Sequence, residues 1–379
     1  MLKCIKSIKI FKELFKQILY IKKLDLIKYN KEMQKKMCIN ILDYKLSSKA
    51  YIIYESKGKG KEYIINNDKL IYEGEYKNGE RNGKGKEYYD DNKIKFEGEY
   101  LYGKRWNGKG YDIENNIIYE IKDGKGLIKE YNNEGLLEFE GEYINGKRNG
   151  KGKEYYQYNI LKFEGEYLYG KRWNGKGYDT SKNIVYELKD GKGYIKEYNG
   201  YTGKLVFEGE YLYGDKNGKA KEYYIYDGKL KFEGEYLNGK RNGNGKLYDC
   251  RDMLEFEGEY FNGYKKKGKA YIAEKLEFEG EYILNAKSNG KGYDGKGNVV
   301  YEIINGNGKI IEYDENRMIK FEGDYINNEK NGNGKEYEFG DLIFEGEYKN
   351  GKRNGKGKEF DLNRNIIFEG EYENGRRIE

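Results

Sequence analysis

An aromatic residue followed by glutamate recurs at Tyr72, Phe96, Tyr119, Phe139, Phe163, Tyr186 and Phe207, and again at Phe232, Phe256, Phe278, Tyr301, Phe321, Phe344 and Phe368. The spacing stays between 20 and 25 residues, and with a partial copy at Tyr54 the chain holds fifteen units. A period of this length belongs to chains that stack one small unit on the next, each touching only its neighbours, and it excludes a single globular core. The stretch Phe96–Asp112 returns unchanged as Phe163–Asp179, an offset of 67 residues that marks duplication of a three-unit block.

Each full unit reads like FEGEYKNGKRNGKGKEF, the stretch from Phe344 to Phe360. On a strand, Phe344, Gly346 and Tyr348 fall on one face, and Glu345 and Glu347 on the other. The stretch from Gly355 supplies a returning strand whose Lys356 and Lys358 face that glutamate pair, each cross-strand ion pair contributing roughly 0.2–1 kcal/mol. Three shorter units carry the turn most openly. IIYEIKDGKGLIKEY (Ile117 to Tyr131), IVYELKDGKGYIKEY (Ile184 to Tyr198) and VVYEIINGNGKIIEY (Val299 to Tyr313) set Asp-Gly or Asn-Gly between two β-rich runs, and these dipeptides suit a type I′ hairpin turn. Ile121 is expected opposite Gly126, where the missing side chain leaves room for an aromatic ring. The rule that follows puts aromatics and glycines on one face and interlocked Glu and Lys on the other.

The fold class is therefore all-β: an elongated single-layer antiparallel sheet of consecutive β-hairpins, about 28 strands from residue 51 onward at two per unit. The last unit is expected to lack its returning strand, with Arg376, Arg377 and Glu379 discouraging pairing at that edge.

Residues 1–50 differ in kind. Ile8, Ile10, Phe11, Leu14, Phe15, Ile18, Leu19 and Ile21 cover about half of a helical wheel, and Lys6, Lys9, Lys12, Glu13 and Lys16 lie opposite, so an N-terminal amphipathic α-helical segment is expected. The segment holds 13 Lys and 4 acidic residues, which leaves 59 basic and 62 acidic residues in positions 51–379. The net charge of +6 thus comes entirely from the head. A charge-balanced body is a poor binder of a phosphate backbone, so no nucleic acid partner is expected. The division is a basic head and linker over 1–50 and a repeat array over 51–379.

No histidine occurs in the chain, which removes Ser-His and Cys-His catalysis and every histidine metal site. Cys4, Cys38 and Cys250 form no CxxC pair, which suits a reducing compartment. Lysines interrupt the apolar start, and no run of about 18 apolar residues is present to span a bilayer. GKRWNGKG (Gly103 to Gly110) fits most of a phosphate-binding loop but ends in Gly where Ser or Thr should hold magnesium, and no helix pattern follows. Glu97 and Glu99 resemble paired catalytic carboxylates, yet almost every unit repeats them, whereas a catalytic site is built once. No cofactor and no metal are expected, and the protein is read as no enzyme.

The spacing Y/F-E-G-E-Y-x-x-G-x-x-x-G-x-G in Tyr72–Gly85, Phe139–Gly152, Phe232–Gly245 and Phe344–Gly357 resembles the MORN (membrane occupation and recognition nexus) repeat. Tyr stands where Trp is common at the fifth position, and the units at Tyr54, Tyr119, Tyr186 and Tyr301 lack the G-E-Y portion. The resemblance implies a hairpin array that holds other proteins, sometimes at a membrane. A non-enzymatic cytoplasmic scaffold binding protein partners along its aromatic and glycine face is the leading expectation. The alternatives are an antitoxin-like protein neutralising a toxin, since variant repeats of this sort also resemble bacterial antitoxin proteins, and a tether bound to anionic lipid through residues 1–50. Trp106 and Trp173, with Arg105, Arg172, Tyr100 and Tyr167, are candidate partner contacts; the tryptophans equally suit covers for a hairpin end. For the head, a cap on the first repeat, a membrane-surface helix, and a disordered or docking segment all fit. The membrane reading sinks Phe11, Phe15 and Leu19 into the interface and leaves Lys9, Lys12 and Lys16 among the head groups, each lysine contributing about 1 kcal/mol. On that reading the full-length chain co-sediments with anionic vesicles, less so as salt rises, and deletion of residues 1–50 abolishes the effect. Binding that survives the deletion would place the lipid site on the repeats. A cap gives a lower melting temperature on deletion and no vesicle binding by either form.

Overall fold

The computed structural model describes residues 50–378 apart from Lys57, Ile65 and Asn66. The expected amphipathic helical segment of the head, with Lys9, Phe11, Lys12, Phe15, Lys16 and Leu19, lies outside the described residues. The described residues form thirty strands, joined in antiparallel ladders by consecutive hairpins, with one 3-10 turn at Gln157–Asn159. Two compact units divide the chain, residues 1–203 with 211–215 and residues 204–210 with 216–379. Within each unit the strand order is the sequence order.

One hairpin shows why the motif folds as it does. Strand Leu70–Lys77 pairs with Glu80–Tyr88, placing Gly74 opposite Gly85 and Glu73 opposite Lys86. A methyl group on Gly85 would lie 2.2 Å from the Tyr72 hydroxyl oxygen and 2.5 Å from its ring, so the ring occupies the place of the missing side chain. The expected common face of aromatics and glycines is thus observed. The pairing then slips by a bulge between Gly74 and Tyr76, which requires φ +97° at Gly83. There Glu75 accepts the Lys84 N–H (3.1 Å), and in the equivalent hairpin Glu347 accepts the Lys356 N–H (3.3 Å). The second glutamate of the motif therefore caps backbone at these bulges, while the first makes the cross-strand lysine pair, as in Lys86–Glu97 (3.2 Å) and Lys358–Glu369 (3.0 Å). A tyrosine from the returning strand adds to the first glutamate: the Tyr155 hydroxyl donates to Glu140 (2.6 Å) and Tyr248 to Glu233 (2.9 Å).

The rings meet edge to face. Phe96 lies 5.5 Å from Tyr100 on its own strand, and Tyr100 lies 5.0 Å from Tyr72 of the preceding unit, both close to perpendicular. Such pairs contribute about 0.5–1.5 kcal/mol beyond the area they bury. The turns at one edge are fastened as well: Gly103 N–H donates to Arg81 O (2.9 Å), Gly170 to Arg148 O (2.8 Å) and Gly263 to Arg241 O (2.8 Å), so each turn hangs on the hairpin before it. At the other edge Asp112 accepts the N–H groups of Glu114 (3.0 Å) and Asn116 (2.8 Å), an Asx turn repeated at Asp361.

Two expectations are corrected. The short units do not continue the ladder: after Ile117–Ile121, pairing reduces to a single bridge, Lys122 with Lys125, before Gly126–Tyr131 begins a new sheet. Asp123 and Gly124 take φ +51° and +68°, the signs of a type I′ turn, whose strong twist splays the two five- and six-residue arms while Ile121 and Ile128 fill the space between them. The last unit does return. Arg376–Ile378 pairs with Ile366–Glu373, because Arg377 lies 4.6 Å above the Phe368 ring and binds Glu359, as the arginine of a full unit does.

The glycine pairing sets a sharp contrast between neighbouring positions. A methyl group on Gly98 would lie 2.1 Å from the Asn107 carbonyl oxygen, whereas Glu97 makes one half-exposed ion pair. Gly98→Val is expected to lower unfolding free energy by at least about 2 kcal/mol, and Glu97→Gln to change it by less than about 0.5 kcal/mol, read from urea unfolding midpoints. Equal shifts would overturn the face assignment.

Candidate functional site

Four of the six candidate partner residues come together on the aromatic face, Tyr100 with Arg105 and Tyr167 with Arg172. Glu87, at the end of one hairpin, accepts the Tyr100 hydroxyl (2.8 Å) and Arg105 Nε (3.2 Å), and a second Arg105 nitrogen closes a two-point ion pair. Arg81 reaches the same carboxylate from the other side (3.2 Å). Arg105 also donates to the Tyr119 hydroxyl (2.6 Å) and lies 4.9 Å above the Phe96 ring. The duplicated block repeats the node with Glu154, Tyr167 (2.8 Å), Arg172, Arg148 and Tyr186. Burial alone would push the Glu87 carboxyl up, but the guanidiniums of Arg105 and Arg81 override it and hold the group at about 2; Glu154 is held at about 2 by Arg172 and Arg148 in the same way. Burial, then the adjoining carboxylates, push Tyr100 and Tyr167 far above the ordinary phenol range.

Tyr100 and Tyr167 are each 3% exposed, and Arg105 and Arg172 are occupied by ion pairs inside the chain. These four side chains bind the array to itself. Trp106 and Trp173 are half-buried over the turns of the short units. A methyl group on Gly124 would lie 2.7 Å from the Trp106 ring, and one on Gly191 would lie 2.9 Å from Trp173. The Trp106 carbonyl accepts the Gly124 N–H (2.8 Å) and the Trp173 carbonyl accepts the Gly191 N–H (2.7 Å). GKRWNGKG runs into the strand Lys104–Tyr111, so no helix terminus faces a phosphate there. Glu97 pairs with Lys86, and Glu99 accepts the Asn107 amide (2.8 Å).

Sequence reasoning missed the node. Its signal was available: an arginine follows the aromatic by nine residues at Arg81, Arg105, Arg148, Arg172, Arg241, Arg353 and Arg377, and a glutamate precedes Phe96, Phe139, Phe163 and Phe368 by nine. Also missed was an open groove of about 1000 Å³ in the second unit, on the glutamate and lysine side of the strands between residues 308 and 373. Gly323, Gly334, Gly346, Gly357 and Gly370 lie along it, with Glu345, Glu369, Glu371, Lys335, Lys356 and Lys358 among its walls. Among the described residues no helix is long and apolar enough to cross a membrane.

The depressed carboxyls give the array a definite response to acid. A folded value near 2 against about 4.3 in an unfolded chain means that the stabilisation is complete above about pH 4.5 and is lost as pH falls toward 2, at up to about 1.4 kcal/mol per pH unit for each group. Glu87→Gln is expected to destabilise by about 3 kcal/mol at pH 7, because it leaves the half-buried Arg105 without its counter-charge, and the gap from the unsubstituted protein should narrow as pH falls from about 4.5 toward 2. Urea titrations at several pH values check this; parallel curves would refute it.

The MORN repeat family model matches residues 72–93, 139–157, 232–250, 321–337 and 344–361. Comparison with curated proteins finds no match. Among solved structures, S. aureus TarM in complex with fondaparinux, alpha-GlcNAc-glycerol and UDP is 13% identical over 41% of this chain and 27% of that one, with a TM-score of 0.17. A second TarM structure is 14% identical over 45% of this chain and 27% of that one, with a TM-score of 0.17. TcdB2-TccC3 without its hypervariable C-terminal region is 9% identical over 86% of this chain and 17% of that one, with a TM-score of 0.11. The chain thus spans about a quarter of the length of the TarM chains. Five matches to one repeat model, set on hairpins that all use the same ring-over-glycine pairing, show that the chain carries MORN repeats between residues 72 and 361.

Proposed function

We propose that the chain is a non-enzymatic cytoplasmic scaffold that holds protein partners on the glutamate and lysine side of its second unit. The observation that supports this reading is the open groove lined by residues between Val300 and Glu371. Its glycines, half-buried at Gly323, Gly346 and Gly370, raise no side chain between the charged walls, and its alternating carboxylates and ammonium groups select by charge pattern. The aromatic face, with Phe321 and Phe344 fully buried and Tyr348 4% exposed, offers a partner little surface. A carboxylate pair repeated in unit after unit suits repeated binding contacts better than a reaction centre.

Affinity purification of the tagged full-length chain with mass spectrometry tests the proposal. Glu369→Lys with Glu371→Lys reverses the charge of one groove wall at exposed or half-exposed positions. The double variant should retain its fold and lose the co-purifying proteins. An unchanged set of partners would move the binding surface elsewhere.

A further inference from the structure

The ladder is interrupted at three turns, Asp123-Gly124, Asp190-Gly191 and Asn305-Gly306, where the two strands of a short unit part beyond a single bridge. At the first two interruptions a tyrosine ties the far ends. The Tyr89 hydroxyl donates to the carbonyl of Tyr111 (2.7 Å) and the Tyr156 hydroxyl to that of Tyr178 (3.0 Å), the residues that end the strands Lys104–Tyr111 and Lys171–Tyr178. Each tyrosine loop also touches the loop that follows the first strand of the next sheet: Asp90 N–H donates to Asn133 O (3.5 Å), and a methyl group on Gly200 would lie 3.3 Å from the Tyr156 ring.

The third interruption has no such tyrosine, because the strands Tyr264–Ile272 and Lys275–Ile283 are joined by the two-residue turn Ala273-Glu274. Arg317 does the tying from the other side. One of its terminal nitrogens donates to the carbonyls of Ile272 (3.3 Å) and Lys275 (3.1 Å), the other to those of Leu276 (2.8 Å) and Tyr293 (3.1 Å). Tyr293 ends its strand as Tyr111 and Tyr178 do, whereas Arg317 follows Gly308–Tyr313, the first strand of the next sheet, so one side chain spans the interruption. The guanidinium also lies 5.4 Å above the Tyr313 ring.

Local sequence sets the arginine in place. Asp314 accepts the N–H groups of Asn316 (2.9 Å) and Met318 (2.8 Å), and this Asx turn holds Arg317 at φ +66°. The same turn position holds Asn115, Lys182, Asp252 and Arg364 at φ +64° to +67°, and all four are exposed, whereas Arg317 is half-buried. Neither the turn nor the residue type therefore draws a side chain inward by itself; the four carbonyls do. In the corresponding loops of the first two interruptions the left-handed residues are Gly135 and Gly203, and a methyl group on Gly135 would lie 2.5 Å from Ile113. A tyrosine loop thus goes with a glycine, and a short turn with an arginine.

Both sides of the third interruption face the groove: Val300 and Tyr301 come from the strand before the turn, and Lys309, Ile310 and Ile311 from the strand after it. We propose that Arg317 is a positioning residue for partner binding, a staple that fixes the opening between these two strands and with it the shape of that end of the groove. The role rests on the groove being the surface that holds the partner. A wall fixed in advance spares the partner the cost of ordering it on binding.

Hydrogen exchange with mass spectrometry on the full-length chain tests the staple. Arg317→Met keeps an unbranched side chain and removes its donors. Amides in residues 299–303 and 308–313 are expected to exchange at least about tenfold faster, with those in residues 341–360 unchanged. Arg364→Met, at the same turn position but exposed, should alter neither. In affinity purification Arg317→Met should lose the co-purifying proteins, as Glu369→Lys with Glu371→Lys does, and Arg364→Met should keep them. Unchanged exchange at 299–303 and 308–313, or equal acceleration along the whole chain, would overturn the staple. Local acceleration with every partner retained, while the charge-reversal variant loses them, would overturn the positioning role. Partners retained by both variants would count against the groove itself, and the exchange result would still decide the staple.

Discussion

Everything in this structure depends on an aromatic ring lying over a pair of glycines. In Phe344–Tyr348 and its partner strand, Gly346 faces Gly357, and a methyl group on either would come within 2.7 Å of the Phe344 ring. A hairpin array of this kind has no second layer to cover its apolar side chains. Here the sheet covers them with its own backbone, where the facing residues have no side chain or, at Ala220 against Gly209, only a methyl group. The ring then shields the glycine backbone from water in return. That exchange lets a chain with 36% charged residues and a mean hydropathy of -1.07 bury Phe96, Phe139, Phe163 and Phe232 completely.

The ring-over-glycine pairing leaves the outer face of each ring open, and the arginine lies there. Its guanidinium stacks at 4.0–4.9 Å over Phe96, Phe139, Phe163, Phe232 and Phe344, while its nitrogens reach a glutamate of the preceding hairpin. The second unit contains its own variation on this node. Leu247 and Ala270 stand where the glutamate should be, and the compensating carboxylate moves one strand onward to Glu255 and Glu277, which meet Lys265 and Lys287. The ion pair is rebuilt, but the phenols of Tyr260 and Tyr282, which would have donated to the missing glutamates, find no protein acceptor. A buried hydroxyl without a partner costs about 1–3 kcal/mol unless water reaches it. Charge balance is thus restored at the expense of hydrogen bonding.

What could be read in advance follows from the range of the forces involved. Hairpins, face assignment and turn type depend on residues within a few positions of one another, so Phe344, Gly346 and Tyr348 announced themselves by alternation and Asp123-Gly124 by its dipeptide. The glutamate–arginine node joins residues 18 apart, Glu87 with Arg105, across a turn and a bulge, and alternation does not carry across a bulge. Arg105 was therefore read as a candidate partner contact when it is held half-buried over Phe96, whereas Trp106 covers the turn at Gly124, one of the two roles that its position allowed. The terminal RRIE was misread for a related reason: without the following N-G-K-G, its arginine had no visible motif, though Arg377 performs the motif's role in full.

The interruptions of the sheet follow from the same local chemistry. A full hairpin carries its ladder through the facing glycines and on past the bulge, but a short unit has only the pair beside its two-residue turn before the strands diverge. The boundaries must then fall where Asp-Gly or Asn-Gly replaces the longer motif. In the first unit this gives seven strands before the turn at Asp123-Gly124 and six between it and Asp190-Gly191; in the second it gives seven after Asn305-Gly306. Both tryptophans stand over such turns, and at the third turn Ser288, 2% exposed, offers its carbonyl to Gly306 in the same way (2.9 Å). Contacts at these joints pass through one bridge and a packed turn instead of a full ladder. The side chains beside these joints, Ile121 with Ile128 and Ile303 with Ile310, are each no more than 4% exposed. The 67-residue offset of the duplication is also the distance from Asp123-Gly124 to Asp190-Gly191, so one period of it corresponds to one whole six-stranded sheet.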